Sequence, residues 1–165
     1  MPLLRIPFFP QKTDYTCGPA AMRMVFGYFK KSASEKNLAR RMRTNPRHGT
    51  THQAMIRAAQ QAGFYVYVNE MATLEELIFL LSWRCPVIVN YTEPSANEGH
   101  FAVVTGVTKK NVILHDPWNG KRFTLSRRSF LARWHDQLPK TYSKNWLMAI
   151  SRKDFQVGKQ YPPKK

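Results

Sequence analysis

An α+β fold, with helices gathered in the first half and antiparallel strands in the second, is what this 165-residue sequence predicts. Three observations carry the prediction. Before residue 84, apolar residues recur at helical spacing behind Ser and Thr caps. After it come continuous apolar or β-branched runs, Pro86–Tyr91, Gly99–Val107 and Trp146–Ile150, separated by turn residues. The length suits a single domain with a self-sufficient core. A helical half packed on a sheet half leaves a cleft between them.

Taken in order, Leu3 to Pro10 reads as an extended lead-in strand over residues 1–10, because its prolines exclude a helix. Met22, Val25, Phe26 and Phe29 form one face of a first helix from about Cys17 to Lys30. Ser34 caps a second, with Leu38, Ala39 and Met42 inward, ending before Asn45-Pro46. Thr50-x-x-Gln53 has the form of a capping box for a third helix, which Gly63 stops. Phe64–Val68 is a short strand. Thr73-x-x-Glu76 opens a fourth helix with Leu74, Leu77, Ile78 and Leu81 buried. Strand 99–107 turns at Lys109-Lys110-Asn111 into a hairpin partner, Val112–His115. Asp116-Pro117-Trp118-Asn119-Gly120 is a dense turn, followed by strand 121–125 and a short helix capped by Ser126. Residues 1–152 form the domain; residues 153–165 are a basic tail expected to be flexible.

The 26 Lys and Arg against 10 Asp and Glu give a net charge of +16. Such a field attracts nucleic acid, anionic lipid or acidic partners. No nucleic-acid motif accompanies it, so nucleic acid is not the favoured partner, whereas contact with a membrane surface stays open. No apolar run reaches the ~20 residues of a membrane span. The first residues lack the build of a signal peptide, so the expected location is the cytoplasm, or outside the cell if such a peptide preceded residue 1. Cys17 and Cys85 could form one disulfide, but a single pair is weak evidence for an oxidising compartment. The expectation is a monomer.

Cys17 is the residue around which chemistry can be built. It stands at a helix start, where backbone N–H groups are unpaired and the dipole favours a negative charge on sulfur. Pro19 fits the first turn. A nucleophilic cysteine needs a base, and the base needs an orienting group. His100 opens an apolar strand behind Gly99, where a neighbouring element can come close. If strands 99–107 and 112–116 pair antiparallel, Asp116 lies at the same sheet edge as His100 and can fix its tautomer. Asp116 is also a natural turn initiator that bonds its own backbone. His115 alternates to the other face. A Gln11 amide, with the Cys17 backbone N–H, could donate to an oxyanion. Tyr15, Gly99 and Trp118 are the candidate substrate contacts. His48-x3-His52 has helical metal spacing but no further ligand nearby, and no metal or cofactor is expected. Cys85 reads as a small buried hydrophobe. Arg40, Arg41, Arg43 and Arg47 form either a solvated face or a patch for an anionic partner.

The ordered set Gln11-x5-Cys17-Gly18-Pro19-Ala20-Ala21, Pro86-Val87-Ile88-Val89, Gly99-His100-Phe101-Ala102-Val103-Val104-Thr105-Gly106 and Asp116-Pro117 resembles the bacteriocin-processing (double-glycine leader) cysteine peptidase family and its stand-alone relatives. The resemblance runs from about Leu3 to Ile150 and implies a papain-like fold. It further implies Cys17 as nucleophile, His100 as base, Asp116 as its orienter and Gln11 as oxyanion donor, acting on a leader peptide after small residues such as Gly-Gly. Two other readings stay open: acyl transfer to an amine by the same triad, and a non-catalytic module holding peptide or nucleic acid. An intact Cys, His, Asp and Gln set argues against the last.

Overall fold

The computed structural model describes residues 3–136, 144–156 and 159–164. Helix α1 (Cys17–Tyr28) is the central element. Ala20, Ala21, Met22, Met24, Val25 and Phe26 are all buried, so it is enclosed on most sides rather than laid on a surface. Around it pack α2 (Glu35–Arg41), α3 (His52–Gln61) and α4 (Leu74–Ser82). The strands are β1 (Tyr65–Asn69), β2 (Val87–Thr92), β3 (Gly99–Val107), β4 (Asn111–Asp116), β5 (Gly120–Ser126), β6 (Leu147–Ser151) and β7 (Lys159–Tyr161), with α5 (Arg127–Arg133) after β5. They form one sheet in the order β5-β4-β3-β2-β6-β1-β7, antiparallel at every pairing. β2 and β3 are almost wholly buried, which is why their sequences read as continuous apolar runs.

The α+β expectation holds, with differences that have local causes. The third helix starts one residue later than the capping box suggested: Thr51 accepts from the Ala54 N–H at 3.1 Å. Thr50 is occupied elsewhere, bonded to the Thr44 hydroxyl at 2.8 Å and packed against Gly18. Thr73 caps α4 as expected, but Glu76 does not return the bond. Its carboxylate accepts from Tyr67 and from Asn69 Nδ2 instead, tying α4 to β1. β1, which lies among the helices in sequence, joins the main sheet beside β6.

In the tail, residues 159–161 add strand β7 to β1, with Val66 opposite Tyr161. Gln60 holds the same segment at both its amide and its carbonyl, through Pro162 O at 2.9 Å and the Lys164 N–H at 3.1 Å. Backbone pairing of this kind is what a tail read only by composition conceals. Met1 and Pro2 of the lead-in segment, and Val157, Gly158 and Lys165 of the tail, lie outside the described residues. No helix among the described residues is long and apolar enough to cross a membrane.

Candidate active site

The site is assembled where the start of α1 meets the mouth of β3. Every other helix has a Ser or Thr side chain accepting from its first turn, namely Ser34, Thr51, Thr73 and Ser126. α1 has none, and no acidic residue in its first turn. Thr16, at its N-cap, has its hydroxyl bonded to the Thr13 hydroxyl at 2.8 Å and to the Thr13 N–H at 3.2 Å. The first-turn N–H groups are therefore left for another negative charge, and Cys17 is the residue that stands there. Its thiol is partly exposed and free of any disulfide.

The segment before α1 is fastened at both ends. The Lys12 N–H donates to both oxygens of Glu35, at 3.1 and 3.2 Å. The Gln11 N–H donates to the Pro117 carbonyl at 3.0 Å, joining this stretch directly to the Asp116 turn. The Gln11 side chain gives one amide N–H to the Thr13 carbonyl at 2.7 Å, while its Oε1 is buried without a hydrogen-bond partner.

The hairpin of β3 and β4 puts Val103 opposite His115, and a register shift beyond Leu114 sets Asp116 opposite Gly120 of β5. His100 Nε2 and Asp116 Oδ1 are 2.8 Å apart. With Nε2 taken, Nδ1 is the ring nitrogen left to face a thiol. Asp116 is 0 % exposed, so each lone pair must be satisfied by protein. They are: Tyr91 donates its hydroxyl, the Trp118 and Asn119 N–H groups each donate at 2.8 Å, and Asn119 Nδ2 lies at 3.3 Å. The two roles weighed for Asp116 turn out to coexist in one carboxylate. It caps its own turn and it holds the imidazole.

Electrostatics follow from that packing. Burial alone would lower the His100 pKa. The Asp116 hydrogen bond, then the hydrogen bond and charge of Cys17, outweigh it and raise the imidazole to about 10. Burial likewise opposes ionising Asp116, yet the bond and charge of His100, with the Tyr91 and Asn119 donors, hold it below the usual carboxylate range. The pair is imidazolium and carboxylate at neutral pH, and Cys17 is close enough to add to it.

Of the substrate-contact candidates, Trp118 is 54 % exposed beside Asp116, Gly99 is exposed and pairs with Thr92, and Tyr15 is half-buried just before α1. The exposed stretch after Glu93 is anchored by that carboxylate, which accepts from the Ser95 and Ala96 N–H groups and from Asn119 Nδ2. His115 lies on the far side of β4, bonded to the Ile6 carbonyl at 3.0 Å. His48 sits on an exposed turn, while His52 stacks on Trp146 and bonds Asn90 at 2.9 Å. Among the described residues no group of three metal-binding side chains forms. Cys85 is buried and free, and burial raises its thiol pKa. Arg40, Arg41, Arg43 and Arg47 are exposed. Tyr91 and Asn119 escaped the sequence reading. A Tyr two residues beyond the apolar run Val87–Val89, in the same buried strand, was the available signal, since a buried hydroxyl demands a partner.

Known proteins resemble this chain in sequence and in fold. The Transport/processing ATP-binding protein ComA of Streptococcus pneumoniae is 30 % identical over 130 residues, which is 76 % of this chain and 17 % of that protein. The chain thus spans about a sixth of that relative. The crystal structure of the peptidase domain of Streptococcus ComA, a bi-functional ABC transporter, superposes with a TM-score of 0.74 at 22 % identity, covering 90 % of this chain and all of that one. A double-glycine motif protease from an AMS/PCAT transporter, solved in complex with the leader peptide, gives 0.72 at 20 % identity, covering 90 % and 93 %. The fold is the papain-like α+β arrangement that the sequence led one to expect. Residues 5–139 match the model of the Peptidase C39 family, and the chain belongs to that family of cysteine peptidases.

Proposed function

We propose that this peptidase cuts a leader-type peptide after small residues such as Gly-Gly, through an acyl-enzyme on Cys17. The reading rests on one observation: a buried His100–Asp116 ion pair set against a thiol at an uncapped helix start. The Cys17 thiolate attacks the scissile carbonyl, and the His100 imidazolium gives its proton to the leaving amine. The now neutral imidazole takes a proton from water, which attacks the thioester and frees the acyl product. Asp116 keeps Nε2 protonated and stabilises the positive ring in both half-reactions. The oxyanion is received by the Cys17 backbone N–H and by the second amide N–H of Gln11, the one not given to Thr13. Trp118 is exposed beside Asp116, and the exposed stretch after Glu93 leads directly into Gly99 and His100, which makes both candidate contacts for the residues flanking Gly-Gly. The leader-bound relative supports the substrate class.

The test is incubation with a synthetic peptide carrying one Gly-Gly pair, with products mapped by mass spectrometry. Cleavage after the second Gly, absent in Cys17→Ala and His100→Ala, is the expected result. Cleavage that persists in Cys17→Ala, or none at Gly-Gly while other peptides are cut, would overturn the reading.

A further inference from the structure

The strong positive charge is not neutralised within the fold. Glu35, Glu76, Glu93 and Asp116 are all committed to internal hydrogen bonds. No lysine or arginine among the described residues forms a salt bridge. Asp14, Glu70, Glu75, Glu98 and Asp154 stay exposed, too few to offset the bases, so the surface field is strongly positive.

That charge converges on a cavity far from Cys17. About 440 Å³ of space lies between the lead-in segment, the end of α1 and the corner joining β4 to β5. Arg5, Lys30, Lys121 and Arg122 line it, Leu3 and Pro7 supply apolar wall, and no Asp or Glu among the described residues reaches it. The volume is in the range of small-molecule sites, roughly 300–1,000 Å³.

The cavity is also held in shape. Arg122 has a left-handed backbone, φ 58°, which a non-glycine residue keeps only when its surroundings enforce it. His115 does so. Its Nδ1 accepts the Arg122 N–H at 3.2 Å, and its Nε2–H donates to the Ile6 carbonyl at 3.0 Å. Those two bonds require the neutral ring, so His115 clamps the lead-in segment to β5 and contributes no charge. Burial first, and the charges of Lys121 and Arg122 among the lesser causes, lower its pKa accordingly. Four cations therefore ring this space, and among the described residues no carboxylate lines it.

We propose that this cavity binds a phosphate ester, its phosphate held by Arg5, Lys30, Lys121 and Arg122 and its organic portion lying against Leu3 and Pro7. Arginine forks match phosphate oxygens two at a time, and the lysines add point charge. Because His115 and Asp116 are successive residues on opposite faces of β4, the site is separate from Cys17, and it stands whether or not the peptidase reading does.

Calorimetric titration with ATP at low salt tests it. One equivalent binds, inorganic phosphate binds more weakly, and adenosine does not bind. Arg5→Gln and Arg122→Gln each weaken ATP by about tenfold or more. Arg57→Gln and Arg128→Gln, which remove the same charge from exposed sites elsewhere, leave affinity unchanged. All four side chains except the strained Arg122 backbone are free of fold-defining bonds, and matching unfolding midpoints confirm that each variant is folded. Equal losses in all four variants, adenosine binding as tightly as ATP, or no binding of any phosphate would overturn the proposal. Vesicles of phosphatidylglycerol form the second arm. If they bind while ATP does not, and both pocket variants abolish it, the phosphate belongs to a lipid headgroup.

Discussion

Replacing Asp116 with asparagine removes one charge from the site and almost no volume. The wild-type imidazole of His100 titrates at about 10 because Asp116 and Cys17 together overcome its burial. Asparagine can still accept at the Oδ1 position but carries no charge. The hydrogen bond that raises the ring most becomes a neutral one and the Asp116 charge is gone, so burial pulls the ring back toward its ordinary 6.5 against what Cys17 still supplies. At pH 8 the wild-type ring is almost wholly imidazolium, whereas a ring titrating near 6.5 is about 3 % charged, a drop of roughly thirtyfold in the general acid. The assay is an NMR titration of ¹⁵N-labelled histidine, followed by kcat/KM against pH on a Gly-Gly peptide carrying a fluorogenic amide. The alkaline limb of the wild type should fall near pH 10, and that of Asp116→Asn at a clearly lower pH. A His100 midpoint unchanged by the substitution would refute the claim that Asp116 holds the charge. Stability has its own signature. Asp116 is depressed on folding, so its contribution is present above about pH 3.8 and lost as the pH falls through its lower folded value. His100 is raised, so its contribution is whole below 6.5 and lost as the pH climbs through about 10. The stability gap between wild type and variant is widest between pH 3.8 and 6.5 and closes on the alkaline side.

Two further substitutions probe the supports of the site. Tyr91→Phe keeps the ring against Phe130 but deletes the hydroxyl that donates to Asp116. It should cost about 1.5–3 kcal/mol in urea unfolding, the worth of a hydrogen bond to a charged group, while peptide cleavage continues because the His100–Asp116 bond remains. Gly18→Ala places a Cβ 2.6 Å from Thr50 Oγ1 and 2.8 Å from its Cβ. Overpacking of that kind costs about 1–3 kcal/mol and pushes the first turn that carries Cys17. Cleavage should fall in Gly18→Ala and recover in the double variant Gly18→Ala/Thr50→Gly, which removes the clashing Cβ as well as the hydroxyl; no recovery would show that the Thr50 contact is not the cause.

Much of this was legible before any coordinates. His100 and Asp116 could be brought together by hairpin register alone, because strand pairing is periodic and a one-residue error would have sent Asp116 to the other face. His115 was assigned to that other face on the same logic. Cys17 was legible through helix periodicity and Pro19. What stayed hidden depends on partners distant in sequence. Nothing near Thr50 says that Gly18 will claim its side chain, so the cap fell on Thr51. Nothing near Gln11 says that its backbone N–H will reach Pro117. The Tyr91 hydroxyl found its acceptor across two strands. The basic count was plain, but that Glu35, Glu76 and Glu93 would be consumed by backbone and neighbours was not, since such bonds are set by tertiary approach.

The two margins of the sheet bear on how the protein behaves when crowded. An open β-edge invites a second chain to pair with it. At one margin, β5 carries Lys121 and Arg122, and the left-handed turn of Arg122 breaks the flat run of N–H and C=O groups that a second chain would need. At the other, the cover is β7, too short at 3 residues to template another strand. Beneath it lies β1, Tyr-Val-Tyr-Val-Asn, aromatic and β-branched. Proteolytic loss of residues 159–161 would therefore leave catalysis to the untouched far side of the molecule and expose an aggregation-prone edge. Solubility, not activity, is what that short strand protects.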